Sequence, residues 1–436
     1  MKSTPLDKLI GQAIGETNRP LSRAAIDRYQ AERLRSLVAS CRDRSAFYRR
    51  ALTAAGIDRL RGLEDLHALP LTTEADLRAH GPEMVCVSLD DVARIVTLHS
   101  SGTTGAAKRL YFTAEDLERT LDFFHLGMEQ MVDPGQTVAI CLPGTTPDST
   151  GHLLARALER MQVNSHLLGL VSDPQAAAHA VAELRPDVLV GFPVQLLALA
   201  RMAAHLRLNL APVRSMLLCS DYIPDSVCHG LRQLLGCEVF SHYGTVETGL
   251  GGGVDCAAHC GCHLRESDLL VEIIDPRTAA PLAAGQWGEI VITTLTRTGM
   301  PLIRYRTGDR GRLLAGSCPC GSVIRRLDRV TGRFNQVRPL RGGGQLALPE
   351  LDELLLALPG LLDFSASLAD DHGGEQLRLC LTTLPGHGEA VRRAAADQLT
   401  RYPALREVEV ALTLAPGPLI HYAKRVLHEQ RKDQAP

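Results

Sequence analysis

The sequence predicts an α/β protein. A large N-terminal domain of parallel βαβ sheets carries a small β subdomain and is followed by a small α+β C-terminal domain. Three observations predict this. Between about residues 137 and 243, short apolar runs that end in turns alternate with stretches of helical apolar spacing, the pattern of βαβ units. From about Leu269 the runs shorten and are joined by turns alone, as in a small sheet. Beyond Thr331-Gly332-Arg333 both helical and strand patterns recur over the last hundred or so residues. A chain of 436 residues fits about two to three domains. The expected division is 1–332, with the β subdomain at about 265–332, and 333–436.

Taken in order, Ile26, Tyr29, Leu34, Leu37 and Val38 give Ala24–Ala51 a helical apolar face. Leu66 to Pro70 reads as a loop. Thr72 or Thr73 is placed to cap a helix with Glu74 and Asp76 in its first turn. Ile95-Val96-Thr97-Leu98 reads as a buried strand, and helical signals resume after Tyr111-Phe112. Strands are predicted at Thr137–Leu142, Asp187–Pro193, Ser215–Cys219 and Cys237–Phe240. Helices fall between them near His152–Met161 and Gln195–Leu206. In such sheets ligands bind at the carboxyl ends of strands. Ser220-Asp221-Tyr222 and Tyr243-Gly244 sit there. Leu270–Pro276, Gly288–Ile292 and Leu302–Tyr305 are the strands of the β subdomain. In the C-terminal domain, helices are predicted near Glu350–Leu358 and Glu389–Thr400, and strands near Leu377–Thr382 and Val408–Leu414.

At 45% hydrophobic and 22% charged residues the chain can bury a real core. A net charge of -2 with no basic stripe argues against a nucleic-acid partner. No apolar run reaches spanning length and the first residues carry no signal core, so a cytoplasmic protein that does not enter the membrane is expected. Its 12 cysteines are then thiols or metal ligands rather than disulfides.

Chemistry concentrates in two places. Ser100-Ser101-Gly102-Thr103-Thr104-Gly105-Ala106-Ala107-Lys108 is a Gly-and-hydroxyl loop ending in Lys. Gly lets the backbone approach an anion, N–H and hydroxyl groups donate to phosphate oxygens, and Lys adds a point charge. The spacing is not that of the common nucleotide-kinase loop. The second place is a Cys/His cluster. Cys256, His259, Cys260, Cys262 and His263 precede the turn Cys318-Pro319-Cys320-Gly321. Two such knuckles suit a tetrahedral Zn²⁺, whereas isolated buried thiols would not.

The loop, with Leu69-Pro70-Leu71-Thr72-Thr73 upstream and Tyr243-Gly244 through Glu247 and Tyr305-Arg306-Thr307-Gly308-Asp309 downstream, resembles the adenylate-forming (AMP-forming) acyl- and aryl-CoA ligases. The pattern is nearest to their phenylacetate-CoA-ligase-like branch. The resemblance implies ATP-dependent activation of a carboxylic acid to an acyl-adenylate and transfer to CoA, with Mg²⁺ and a mobile C-terminal domain. It makes Ser100, Ser101, Gly102, Thr103, Thr104, Gly105 and Lys108 the phosphate loop. Thr104, Lys108 and Glu247 become the catalytic groups. It sets Tyr243 against the adenine with Gly244 beside it in the nucleotide site, has Glu247 help hold Mg²⁺ near the phosphates, and puts Asp309 on the ribose. Arg333 contacts the nucleotide at the domain junction, and Ser220, Asp221 and Tyr222 form the adenine wall. It selects Cys256, His263, Cys318 and Cys320 as ligands of a structural Zn²⁺, with His259, Cys260 and Cys262 as alternatives. The partners it implies are an aryl or short acyl acid and CoA, with a homodimer as the candidate assembly.

The chain departs from the family pattern in three places. The hydroxyl of the Tyr-Gly-x-Thr-Glu pattern comes one place early, at Thr245, with Val246 in its stead. The hinge carboxylates that follow Gly-Arg are replaced in Gly332-Arg333-Phe334-Asn335-Gln336. The Lys of the terminal Gly-Lys-x-x-Arg pattern falls on Tyr422 when Arg425 is the anchor. These keep two alternatives open: a nucleotide- or acyl-binding regulator or scaffold with a degenerate site, and an adenylating enzyme with a non-CoA acceptor.

Overall fold

Ser45 interrupts the helix predicted over Ala24–Ala51. It adopts an extended conformation between helices Arg23–Arg44 and Ala46–Ala54 and accepts the Tyr48 N–H, so the second helix starts afresh. The structure, a computed structural model, describes residues 3–17, 19–57, 60–98, 107–371, 374–420 and 425–430. The chain divides into two compact units, each assembled from separated segments.

The first unit comprises Met1–Asp133, Arg156–Gln162 and Phe240–Val330. Strand Val92–Leu98 pairs antiparallel with Lys108–Thr113. It is not the buried strand expected: its residues alternate between half-buried and exposed, and Ile95 is 50% exposed. One face of this hairpin meets water, as antiparallel pairs allow. Thr113 then caps helix Ala114–Met128 in a capping box with Asp116. The predicted β subdomain is an antiparallel sheet of Leu269–Ile274, Gly288–Thr294 and Tyr305–Gly311. Its last strand begins at Tyr305, three residues later than the sequence pattern suggests. Arg304 sits at φ 45°, held there by two bonds to Glu272 and by donation to the His67 and Leu69 carbonyls. A further antiparallel ladder runs from the end of Glu238–Tyr243 through Gly253–Val254 and Cys262–Leu264 to Arg326–Leu327.

The second unit comprises Pro134–Ala155, Val163–Val239 and Thr331–Pro436. Parallel strands Asn164–Leu167, Thr137–Cys141, Val188–Gly191 and Ser215–Leu218 lie side by side in that order. Helices Pro174–Leu184, Pro193–His205 and Asp225–Leu235 connect or follow them. Pro193 to Ala203 are buried all round, which is why the apolar spacing of this helix is blurred in sequence. A second sheet orders Glu409–Leu414, Gly374–Thr383, Leu361–Asp371 and Leu427–Gln430. Both parts share one apolar core that includes Leu197, Ala200, Leu355, Leu362 and Phe364. Arg201, buried within it, donates to the carbonyls of Leu356 and Leu361. Among the described residues no helix is long and apolar enough to cross a membrane, and all 12 cysteines are free thiols.

Candidate functional site

The first unit brings several predicted site residues into one buried group. Lys108 opens the strand Lys108–Thr113 and is 7% exposed. Its Nζ lies 2.6 Å from Glu247 Oε1 and 3.8 Å from Glu74 Oε1. Glu247 stands on a tight turn closed by Thr248 N–H to Thr245 O, Gly249 N–H to Val246 O and Leu250 N–H to Thr245 O. Burial pushes the Glu247 carboxyl up. The charge and hydrogen bond of Lys108, its own backbone N–H and the Thr245 hydroxyl pull it down further, to about 2. Thr245, one place early in the motif, is thus among the groups that lower this carboxyl. Tyr305 completes the group, donating its hydroxyl to Glu247 Oε1 at 3.1 Å.

Tyr305 is held in place by the upstream Leu-Pro-Leu-Thr-Thr stretch. Thr72 bridges it in parallel register, with Thr72 N–H on Arg304 O at 3.0 Å and Arg306 N–H on Thr72 O at 2.9 Å. The Thr72 hydroxyl donates to Ile303 O at 2.7 Å and meets Tyr48 Oη at 3.2 Å. Thr73, not Thr72, caps the next helix in a capping box with Asp76, and so sets Glu74 toward Lys108. No pattern in the sequence signals that Tyr305 or Glu74 meets this group, because both depend on how distant segments dock.

Tyr243 and Asp309 also meet: the Tyr243 hydroxyl donates to Asp309 Oδ2 at 3.1 Å. Gly244 follows where no side chain fits, since a Cβ there would lie 2.5 Å from His242 Cε1 and 2.7 Å from Leu250 O. Both ring nitrogens of His242 are buried with no hydrogen-bond partner among the described residues. Burial pushes this imidazole down to about 4, so it is neutral near pH 7.

In the second unit, Ser220, Asp221 and Tyr222 follow the strand Ser215–Leu218. The Tyr222 hydroxyl donates to Glu353 Oε1 at 2.8 Å. Glu353 also accepts the N–H groups of Asp225 and Ser226, capping a helix that lacks a side-chain cap of its own. Arg333 is half-buried and precedes the short 3₁₀ turn Phe334–Gln336. The remaining expected phosphate-loop residues, Ser100, Ser101, Gly102, Thr103, Thr104 and Gly105, lie outside the described residues, as does Tyr422.

The Cys/His cluster closes around four residues. One ligand atom each from Cys256, His263, Cys318 and Cys320 falls within 4.8 Å of all the others, and all four residues are buried. Cys256 Sγ is 3.7 Å from Cys318 Sγ, and Cys320 Sγ is 3.4 Å from His263 Nε2. With Zn–S about 2.3 Å and Zn–N about 2.0–2.1 Å, a tetrahedron has edges of about 3.8 Å and about 3.6 Å. Two edges of the S₃N set thus already match a zinc tetrahedron, and separations of up to 4.8 Å elsewhere would close by about 1 Å to complete it. The alternatives are committed elsewhere. His259 Nδ1 pairs with Asp255 Oδ2 at 3.0 Å, and Cys260 and Cys262 point their thiols at the carbonyls of Ala258 and Ser241. Gly321, at φ 87°, closes the knuckle by donating to Cys318 O at 2.9 Å.

The chain resembles known proteins in sequence and in fold. The family described as AMP-binding enzyme matches residues 24–296. The phenylacetate-coenzyme A ligase of Thermus thermophilus is 31% identical over 356 residues, 78% of this chain and 77% of that one. That of Escherichia coli is 27% identical over 347 residues, 74% and 75% of the two chains. A 2-hydroxyisobutyryl-CoA ligase in its postadenylation state, solved with R3-HIB-AMP, superposes with a TM-score of 0.79. It is 20% identical and covers 95% of this chain and 91% of its own. With the family matching well over half of the sequence and a relative near one-third identical across most of both chains, the chain belongs to the AMP-binding enzymes, in their phenylacetate-CoA-ligase-like branch.

Proposed function

We propose that the chain is an AMP-forming acid–CoA ligase. ATP and a carboxylic acid give an acyl-adenylate and pyrophosphate, and the thiol of CoA then displaces AMP. A free carboxylate is a poor acyl donor because its leaving group would be oxide; adenylation makes AMP the leaving group. The observation that carries the reading is the buried Lys108–Glu247–Tyr305 group beside the predicted phosphate loop. A buried Lys paired with a carboxylate rather than a phosphate is primed for exchange. On nucleotide binding, Lys108 leaves Glu247 for phosphate oxygens, and Glu247, an oxygen ligand held ionised, is freed to hold Mg²⁺. Bound there, Mg²⁺ neutralises phosphate charge. Catalysis is then mostly positioning and charge neutralisation at the α-phosphate. The Tyr243–Asp309 pair supports adenine and ribose roles for these residues, since a carboxylate accepts from both ribose hydroxyls.

Cys256, His263, Cys318 and Cys320 hold a structural Zn²⁺ in this reading, with no water-activating base at the cluster. The functional division falls at 332/333, the enzyme works in the cytoplasm, and its assembly is a homodimer, which sedimentation distinguishes from a monomer. The test is pyrophosphate release over a panel of aryl, arylacetic and short acyl acids, with and without CoA. Phenylacetate comes first because curated relatives are phenylacetate-CoA ligases. Turnover that requires both an acid and CoA is expected. Release without CoA dependence points to another acceptor, as in the relative named fumarate–(S)-2,3-diaminopropanoate ligase. Nucleotide binding with no release for any acid overturns the ligase reading.

A further inference from the structure

Arg297 is a buried cation to which the chemistry above gives no role. It lies between the strands Gly288–Thr294 and Tyr305–Gly311 and is 9% exposed. Its guanidinium stacks 4.8 Å from the centre of the Phe112 ring, while the charges of Asp116 and Glu247 act on it from beyond ion-pair distance. Its Nη1 is buried without a hydrogen-bond partner among the described residues, and so is Nε of Arg119. Both side chains line one small cavity, together with Thr120, Thr248, Arg265 and Thr296.

The two carboxylates on that wall, Asp116 and Asp268, are already engaged. Asp116 accepts the N–H groups of Thr113, Thr298 and Gly299 at 3.0, 2.8 and 3.0 Å. Asp268 accepts Arg265 Nε at 2.8 Å and the hydroxyls of Ser267 and Thr296. Arg119 is held by Glu115 at 2.6 Å, and its Nη1 lies 3.8 Å from Asp268 Oδ1. Burial pushes the Arg297 guanidinium down to about 10, which leaves it charged near neutrality. A buried charge with an unpaired N–H is costly unless a counter-ion completes it.

We propose that Arg297, with Arg119 opposite, forms a binding site for a single small anionic group of carboxylate or halide size. The cavity, about 20 Å³, has room for roughly one or two solvent-sized atoms, which excludes a phosphate ester. Two sources supply such a group: a free inorganic or organic anion, or the distal carboxylate of a dicarboxylic acid substrate. The second source rests on the ligase reading. Thr248 and Gly249 of the cavity wall continue the turn that carries Glu247. Occupancy therefore braces that turn.

The first arm of the test needs no activity. Melting of the wild type and of Arg297→Met is followed against chloride or formate, with methanesulfonate, whose tetrahedral head is the size of a phosphate, holding ionic strength constant. The wild type is expected to gain melting temperature saturably with the small anions, as ligand linkage requires, and Arg297→Met to stay flat. A flat wild-type curve, or parallel curves in both proteins, overturns the site; the wild-type titration decides even if the variant does not fold. The second arm compares kcat/KM for monocarboxylic acids and their ω-carboxylated counterparts in methanesulfonate. A preference for the diacid that Arg297→Met abolishes assigns the site to substrate. No such preference, together with a positive melting result, assigns it to a free anion.

Discussion

Lys108 and Glu247 neutralise one another in the absence of nucleotide, and both are nearly withdrawn from solvent. Lys108→Ala therefore acts twice. It removes a charge-assisted phosphate contact worth roughly 1.5–3 kcal/mol, so Mg·ATP affinity measured by calorimetry should fall about tenfold to a hundredfold. It also strands a buried carboxylate, so the melting temperature should drop, and adding Glu247→Gln should recover part of the loss. The pH dependence follows from the same pair. The Glu247 carboxyl titrates at about 2 when folded against 4.5 otherwise. The stability it contributes is full above pH 4.5 and is lost as pH falls toward 2. In Lys108→Ala that acid-side loss should largely disappear from the melting profile. Equal nucleotide affinity in wild type and variant would remove Lys108 from the phosphate site.

At the scale of elements, the metal knuckles make the sharper prediction. Two residues of the Cys318–Gly321 turn, one residue after the strand Gly253–Val254 and one in the strand Cys262–Leu264 would supply the ligands. A zinc ion there would cross-link the turn to a short sheet at a point where the three thiols cluster with Ala258. Elemental analysis should find about one zinc per chain. Cys318→Ser with Cys320→Ser should release it and lower the melting temperature, because structural zinc contributes directly to folding free energy. Metal-free protein of unchanged stability would refute the site.

Such elements also show what sequence reveals. The Cys-Pro-Cys turn is legible because its residues are rare and its chemistry local. Three strands of the parallel sheet, Thr137–Cys141, Val188–Gly191 and Ser215–Leu218, are legible because each is buried almost throughout and reads as an apolar run; the fourth, Asn164–Leu167, is mostly exposed and carries no such run. Val92–Leu98 misleads because an apolar run can also be one half-exposed arm of a hairpin. The delayed start of the strand at Tyr305 was hidden because Arg304 takes a positive φ through bonds to residues far along the chain. Arg297 carries no motif; its significance lies in what surrounds it.

For the molecule as a whole, the remaining question is how the end of the chain takes part in the first half-reaction. Arg425 is anchored in the second unit. Its guanidinium pairs with Asp352 and Asp363 and lies 4.8 Å from the centre of the Phe364 ring. As the Arg of the Gly-Lys-x-x-Arg pattern, Arg425 serves as the anchor in sequence. By the family pattern it puts Tyr422 at the position of the Lys that bridges the acid's carboxylate and the α-phosphate, and His421 at the position of the Gly; both lie outside the described residues. A phenol donates one hydrogen bond but is neutral near pH 7, so it does not offset the charge of two reacting anions. Losing one preorganised donor typically costs about 10²–10³ in rate, and losing a full positive charge should cost no less. Adenylation should therefore be slow, while thioester formation from supplied acyl-adenylate is better preserved, because relatives use this Lys mainly in the first step. Pyrophosphate exchange measures the first step alone. Tyr422→Lys should raise it, and Lys424→Ala should change it little. If Lys424→Ala abolishes exchange and Tyr422→Lys is silent, Lys424 is the bridging residue. The family motif is then shifted by two positions, and the chain is a full ligase rather than a weakened one.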